Sequence, residues 1–177
     1  PWWLTALRIL MAALLICALA GPVLNPDRDA LKGSGPVILA VDNGWASASQ
    51  WRARQTLIEA YISRAERHSR PVILIGTASS RDVRLETMGP QKAREAVATL
   101  QPMPFNPDRM KLAEKLENSL KDQGPHSVVW LSDGLDYGQG KNFTDALARI
   151  SGDAEAVTIA IPESGTGALG LRAGAGT

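Results

Sequence analysis

Asp42 and Asp133 are the residues of this sequence whose type and placement best suit chemistry. Each closes a short apolar run: Val37-Ile38-Leu39-Ala40-Val41 leads into Asp42-Asn43-Gly44, and Ser127-Val128-Val129-Trp130-Leu131 leads into Ser132-Asp133-Gly134. Two carboxylates at the ends of neighbouring strands suit a hard divalent cation, which takes about six oxygen ligands, or metal-assisted hydrolysis. In a purely structural role the same aspartates cap turns and helix N-termini. Asn43 and Asp136 are polar helpers beside them. Gly44 and Gly134 admit tight strand-to-helix turns, or close approach of a ligand. Trp45 and Trp51 flank the first turn. Tryptophan is enriched at binding hot spots, so Asn43, Gly44, Trp45 and Asp136 form a candidate binding surface, with packing of a loop or helix as the tryptophans' alternative role.

Little else in the chain has the makings of a reactive site. Cys17 is the single cysteine, which excludes a disulfide framework and a cysteine-based metal site. His68 and His126 stand apart from any second soft ligand, which argues against zinc, and both are expected on the surface or in loops. There is no nucleophile elbow, triad motif or paired acidic motif of a glycosidase. Gly138-Gln139-Gly140-Lys141 lacks the rest of a phosphate-loop pattern and reads as an ordinary loop. A net charge of +1, from 19 basic and 18 acidic residues, excludes a nucleic-acid binder that works through a basic face. With no general base beside the aspartates, an enzyme is not expected.

The elements that must position Asp42 and Asp133 follow from periodicity. The chain has 177 residues, 45% hydrophobic and 21% charged, enough for one globular domain and an appendage. Short buried-type strands are expected at Val37–Val41, Val72–Ile75, Ser127–Leu131 and Ala156–Ile161. Asp82–Thr87 alternates with a period of two and reads as a half-exposed, antiparallel or edge strand. Between the strands lie helical patterns. Trp51–Arg67 carries Leu57, Ile58, Tyr61, Ile62 and Ala65 on one face. Pro90 opens a helix with Ala93, Ala96, Val97 and Leu100 inward, and Asn106-Pro107 opens the next with Met110, Ala113, Leu116 and Leu120 inward. Lys141 or Asn142 starts the last, carrying Phe143, Ala146, Leu147 and Ile150. Alternating strands and helices imply an α/β fold, a doubly wound and mostly parallel sheet covered on both faces. In such sheets the ligand crevice lies beyond the carboxyl ends of the strands, where strand order reverses. If the first and the Ser127–Leu131 strands are neighbours there, the two carboxylates converge.

Ahead of this domain, Trp2–Leu24 is about as long as a bilayer crossing requires and contains one charge, Arg8. Trp2 and Trp3 suit the headgroup interface, Arg8 can snorkel back to it, and a positive charge at that end argues that the N-terminal end is cytoplasmic. Arg8, Ile9–Cys17 and Ala18-Leu19-Ala20 also resemble a cleavable signal peptide, and a buried core helix is a third reading. A chain opening on Pro1 reads as a fragment, which favours the retained anchor. The expected organisation is a transmembrane helix over 1–24, a Pro/Gly-containing linker over 25–35, the α/β domain over 36–163 and a flexible Gly/Ala-rich tail over 164–177.

The order strand, helix, strand, antiparallel strand, helices, strand ending in Asp-Gly resembles a von Willebrand factor A domain. That family binds a divalent metal through a strand ending in Asp-x-Ser-x-Ser, a later Thr and an Asp at another strand end. Here Asp42 matches, Gly44 and Ala46 stand where the serines belong, Trp130-Leu131-Ser132-Asp133-Gly134 matches the later aspartate motif, and the Pro104–Asp108 stretch holds no Thr. Pro1-Trp2-Trp3-Leu4, Arg8 and Leu19-Ala20-Gly21-Pro22 are similar to the second transmembrane helix of BatA-like, aerotolerance-type bacterial membrane proteins, so the resemblance covers about Pro1–Pro162. It implies a degenerate A-type domain anchored in the bacterial inner membrane through residues 2–24, exposed to the periplasm, and mediating contact with a protein partner. Metal ligation is implied through Asp42 and Asp133 alone, a weak Mg²⁺ or Mn²⁺ site at best, so contact without metal or cofactor is the expectation. A metal-dependent hydrolase using the same aspartates, and a spacer for a further domain, are the rival readings.

Overall fold

The computed structural model describes residues 2–19, 31, 35–78, 85–121, 124, 126–152 and 157–161, with side chains only to Ala12 in the first stretch. The first helix, α1, spans Trp2–Leu19, and its side chains from Trp2 to Ala12 are all exposed. Among the described residues, no helix is long and apolar enough to cross a membrane. Residues 20–24 of the expected span, most of the expected linker and the tail lie outside the described residues.

Four strands form the sheet: β1 (Val37–Val41), β2 (Val72–Gly76), β3 (Ser127–Leu131) and β4 (Val157–Ala160). All pairings are parallel and the spatial order is β2-β1-β3-β4, so strand order reverses between β1 and β3. Val41 is level with both Gly76 and Leu131, which brings the three strand ends together.

Continuous apolar strands follow from burial on both faces. Val37, Leu39, Val41, Val129 and Leu131 pack toward α2 (Trp51–Arg67) and α3 (Pro90–Thr99), meeting Ile58, Ile62, Ala65, Ala93 and Val97. Ile38, Ala40, Ile73, Ile75, Val128 and Trp130 pack toward α4 (Arg109–Leu120) and α5 (Gly140–Ser151), meeting Leu112, Ala113, Leu116, Phe143 and Leu147. Each fully buried Val, Leu, Ile or Phe among them contributes about 1.5–3 kcal/mol. The doubly wound α/β class expected from the sequence is what forms. Leu31 joins the first core, although its segment reads as linker. Arg70 holds that segment, donating from Nε to the Gly35 carbonyl (2.7 Å) and from a terminal nitrogen to Leu31.

Several local expectations need correction. In the expected strand Asp82–Thr87, Asp82 to Arg84 lie outside the described residues and Leu85 to Thr87 form no strand. The antiparallel contact is a single bridge from Met88 to Val72. α4 starts at Arg109, capped by Asp108, whose carboxylate accepts from the Lys111 amide (3.2 Å). Its buried stripe begins with Arg109, and Met110 is 37% exposed. His126, expected at the surface, is buried, and neither ring nitrogen finds a hydrogen-bond partner among the described residues. α5 begins at Gly140, a residue ahead of the expected start.

Candidate functional site

The C-terminal ends of β2, β1 and β3 each deliver a polar side chain to one point. Asp42 follows β1, Thr77 follows β2, and Ser132 and Asp133 follow β3. Backbone bonds continue the sheet for one more residue: Thr77 donates to Val41, and Asp42 to Leu131. The Asp42 side chain is therefore held in the crevice at the switch point, fully buried.

An arginine lies between the two aspartates. Nη2 of Arg109 donates to Asp42 Oδ2 at 2.7 Å and to Asp133 Oδ1 at 3.0 Å. Nε lies 3.4 Å from Asp42 Oδ1, and Nη1 donates to the Asp136 carbonyl at 2.9 Å. All three side chains of this ion-pair triad are fully buried. The guanidinium also stacks over the rings of Trp130 (4.7 Å) and Tyr137 (5.1 Å). Charge-assisted bonds and cation–π contact offset the desolvation of a charge that otherwise costs several kcal/mol.

Both carboxylates are saturated with donors. Asp42 Oδ1 accepts from the Thr77 hydroxyl (2.7 Å), and Oδ2 accepts from Trp130 Nε1 (3.0 Å) and the Asp133 amide (3.2 Å) as well as from Arg109. Asp133 Oδ1 accepts from the Leu135 amide (3.0 Å) and Oδ2 from the Tyr137 hydroxyl (2.9 Å). Burial, and then the bond to Asp133, push the Tyr137 hydroxyl up to about 12. Tyr137 sits at φ +52°, a left-handed conformation uncommon outside glycine, and its ring is held between these bonds. A second guanidinium, Arg54 of α2, is buried beside the cluster. Its Nη1 donates to the Leu131 (2.8 Å) and Ser132 (3.0 Å) carbonyls, and its Nε has no partner among the described residues. Burial lowers the Arg54 pKa, against the attraction of Asp42 and Asp133. Two carboxylates thus face two guanidiniums, and the cluster is formally neutral.

These residues do not fit a divalent cation between Asp42 and Asp133. The guanidinium fills that space and supplies the positive charge. Among the described residues no group of three His, Cys, Asp or Glu side chains is arranged to hold a metal. The structure does bring the two sequence-predicted aspartates together, on an arginine.

The remaining candidates divide into staples and surface. Asn43 is buried: its side chain donates to the Gln101 carbonyl (3.1 Å) and accepts from the Ala78 amide (2.9 Å), and its carbonyl accepts from Met103 (2.7 Å). Gly44 is buried at φ −71°, so no special conformation demands it. A Cβ there would lie 2.8 Å from the Phe105 carbonyl oxygen and from Pro107 Cδ, so close approach is its role. Gly134, at φ +86°, does serve a tight turn. Asp136 Oδ1 accepts from the Gly140 amide (2.6 Å), placing a carboxylate at the N-terminus of α5 where a phosphate would have to bind. Trp51 is half-buried against the first core, and Trp45 is 56% exposed, its Nε1 donating to Asn106 (2.8 Å).

Sequence reasoning missed Arg109, Arg54, Thr77 and the exposed apolar residues Met103, Phe105 and Leu135. A signal for the arginines was present. Arg54 is in phase with Ile58, Ile62 and Ala65, and Arg109 with Leu112, Ala113 and Leu116, so each is a charge inside an apolar stripe. No family model matches the chain, and no curated protein matches it.

Proposed function

We propose that this chain is a membrane-anchored protein–protein interaction module, a degenerate von Willebrand factor A-type domain of BatA-like organisation on the outer face of a bacterial inner membrane. The observation that carries the reading is the rim around the buried cluster. Trp45 is 56% and Phe105 58% exposed, and Met103, Met110 and Leu135 are exposed with them. Trp45 and Phe105 adjoin, the Trp45 amide donating to the Phe105 carbonyl (3.2 Å). Pro102, Pro104 and Pro107 stiffen its central loop. Exposed aromatic and methionine side chains on a rigid loop are the composition of an interface core. Beneath them both carboxylates are engaged by donors within the cluster, so the named exposed side chains are the groups left to meet a partner.

The anchor rests on the sequence alone: Trp2–Leu24 carries one charge, Arg8, over about the length of a bilayer crossing. A benzophenone side chain at position 105, irradiated in native membranes, tests the reading against one at Arg67, exposed at the opposite end of α2. The expected result is a discrete protein adduct from position 105 alone, weakened by Trp45→Ala. Adducts from neither position favour a spacer. Phosphoester turnover lost on Asp42→Ala favours the hydrolase.

A further inference from the structure

We propose that Arg109 is a built-in substitute for a divalent cation, its guanidinium filling a latent cation site made by Asp42, Asp133 and the Asp136 carbonyl, which truncation of Arg109 opens. The inference is independent of the interaction reading, because it uses only the buried cluster.

The oxygens around the guanidinium are the kind a hard cation takes. Asp42 offers Oδ2 at 2.7 Å from Nη2, Asp133 offers Oδ1 at 3.0 Å, and the Asp136 carbonyl lies 2.9 Å from Nη1. The Thr77 hydroxyl donates to Asp42 Oδ1 (2.7 Å) and so fixes that carboxylate's orientation. Two carboxylates and a carbonyl, completed by water, are a reasonable set for Mn²⁺ or Mg²⁺. Both carboxylates keep other partners when Arg109 is removed. Trp130 Nε1 and the Asp133 amide still hold Asp42, while the Leu135 amide and the Tyr137 hydroxyl still hold Asp133. Truncation therefore leaves a preorganised, under-neutralised oxygen cage rather than a collapsed one. With Arg109 present, its charge and volume exclude a second cation. The site then keeps a cation-filled arrangement at any metal concentration, and a partner cannot be held by sharing a metal ion with it.

Thermal unfolding and calorimetric titration of the full chain with MnCl₂ and MgCl₂ test this, on wild type, Arg109→Ala and Arg109→Ala/Asp42→Asn. Wild type should unfold at the same temperature in MnCl₂ and in EDTA. Arg109→Ala should unfold at a lower temperature in EDTA, recover part of the loss saturably in MnCl₂, and bind Mn²⁺ at least tenfold more tightly than wild type. Adding Asp42→Asn should abolish that gain. If Arg109→Ala does not fold in EDTA, refolding in MnCl₂ decides: recovery of its near-ultraviolet circular dichroism supports the proposal. A variant that stays unfolded in MnCl₂, or folds and binds no Mn²⁺, overturns it. Wild-type binding of Mn²⁺ that depends on Asp42 overturns it equally.

Discussion

Removing the Arg109 side chain should be among the most damaging single changes this domain can suffer. In Arg109→Ala, Asp42 and Asp133 keep fully buried carboxylates and lose the cation that bridges them at 2.7 and 3.0 Å. Removing one partner of a buried pair costs about 3–5 kcal/mol, because the charge left behind is unpaired. The stacking over Trp130 and Tyr137 adds about 0.5–2 kcal/mol. Arg54 remains beside the carboxylates and returns some of the loss. These effects share groups and do not add, so about 4 kcal/mol is expected. With a urea slope of about 1–3 kcal/mol per molar, the midpoint falls by about 2 M. Urea unfolding of the chain, followed by near-ultraviolet circular dichroism, measures it. Arg149→Ala is the control: its pair with Glu117 (2.9 Å) has side chains 63% and 39% exposed, and should cost under about 1 kcal/mol. Arg109→Lys keeps a charge but not the fork, and should fall between the two. An Arg109→Ala loss no larger than that of Arg149→Ala would refute the claim that the guanidinium's charge is what makes burial of the two carboxylates tolerable.

Other consequences concern the loops and three titratable groups, His126, Tyr61 and Tyr137. Gly44→Ala puts a Cβ 2.8 Å from the Phe105 carbonyl oxygen and Pro107 Cδ, and should cost about 1–3 kcal/mol while displacing the Met103–Pro107 loop. Heteronuclear NMR shifts confined to that loop and the Trp45 indole would check it. Burial, and then Arg70, lower the His126 pKa below its ordinary 6.5, so the folded state binds fewer protons there than the unfolded state. Stability should be full above pH 6.5 and decline as pH drops below it, by at most about 1.4 kcal/mol per pH unit. Unfolding midpoints between pH 7.5 and 5.5 should fall for wild type and flatten in His126→Leu. Burial raises the pKa of both tyrosines, Tyr61 and Tyr137, the latter to about 12. Absorbance at 295 nm at pH 10 should show little tyrosinate in the folded chain and about half in the unfolded one.

Much of the architecture was legible because the α/β pattern is local. Apolar runs such as Val37–Val41 and the stripe Ile58, Ile62, Ala65 declare their elements by periodicity, and the polar residues that end the runs mark the crevice. The convergence of Asp42 and Asp133 was conditional on their strands being neighbours, a condition the sheet order meets. What stayed hidden depends on which strand neighbours which, and on helix phase. Thr77 reaches Asp42 only because β2 lies next to β1 in register. The stripe of α4 reads equally well from Met110 or from Arg109, since each lies three or four residues before Ala113. Hydrophobicity favours Met110, and a buried partner charge, invisible in sequence, decides for Arg109. His126 follows the same logic: a histidine before a strand looks like a loop residue until the sheet packs around it.

The central claim, that an arginine rather than a metal ion is the cation of this site, is tested most directly at the Trp130 indole N–H. That proton is donated to Asp42 Oδ2, with Trp130 Nε1 3.0 Å from the oxygen, close enough for a paramagnetic ion on Asp42 to erase its NMR signal. One of five tryptophan indole signals, it is assigned by its loss in Trp130→Phe. During a titration of the wild-type chain with MnCl₂, the signal should remain sharp while Arg109 occupies the site. Saturable broadening of that one resonance, reversed by EDTA, would contradict the account.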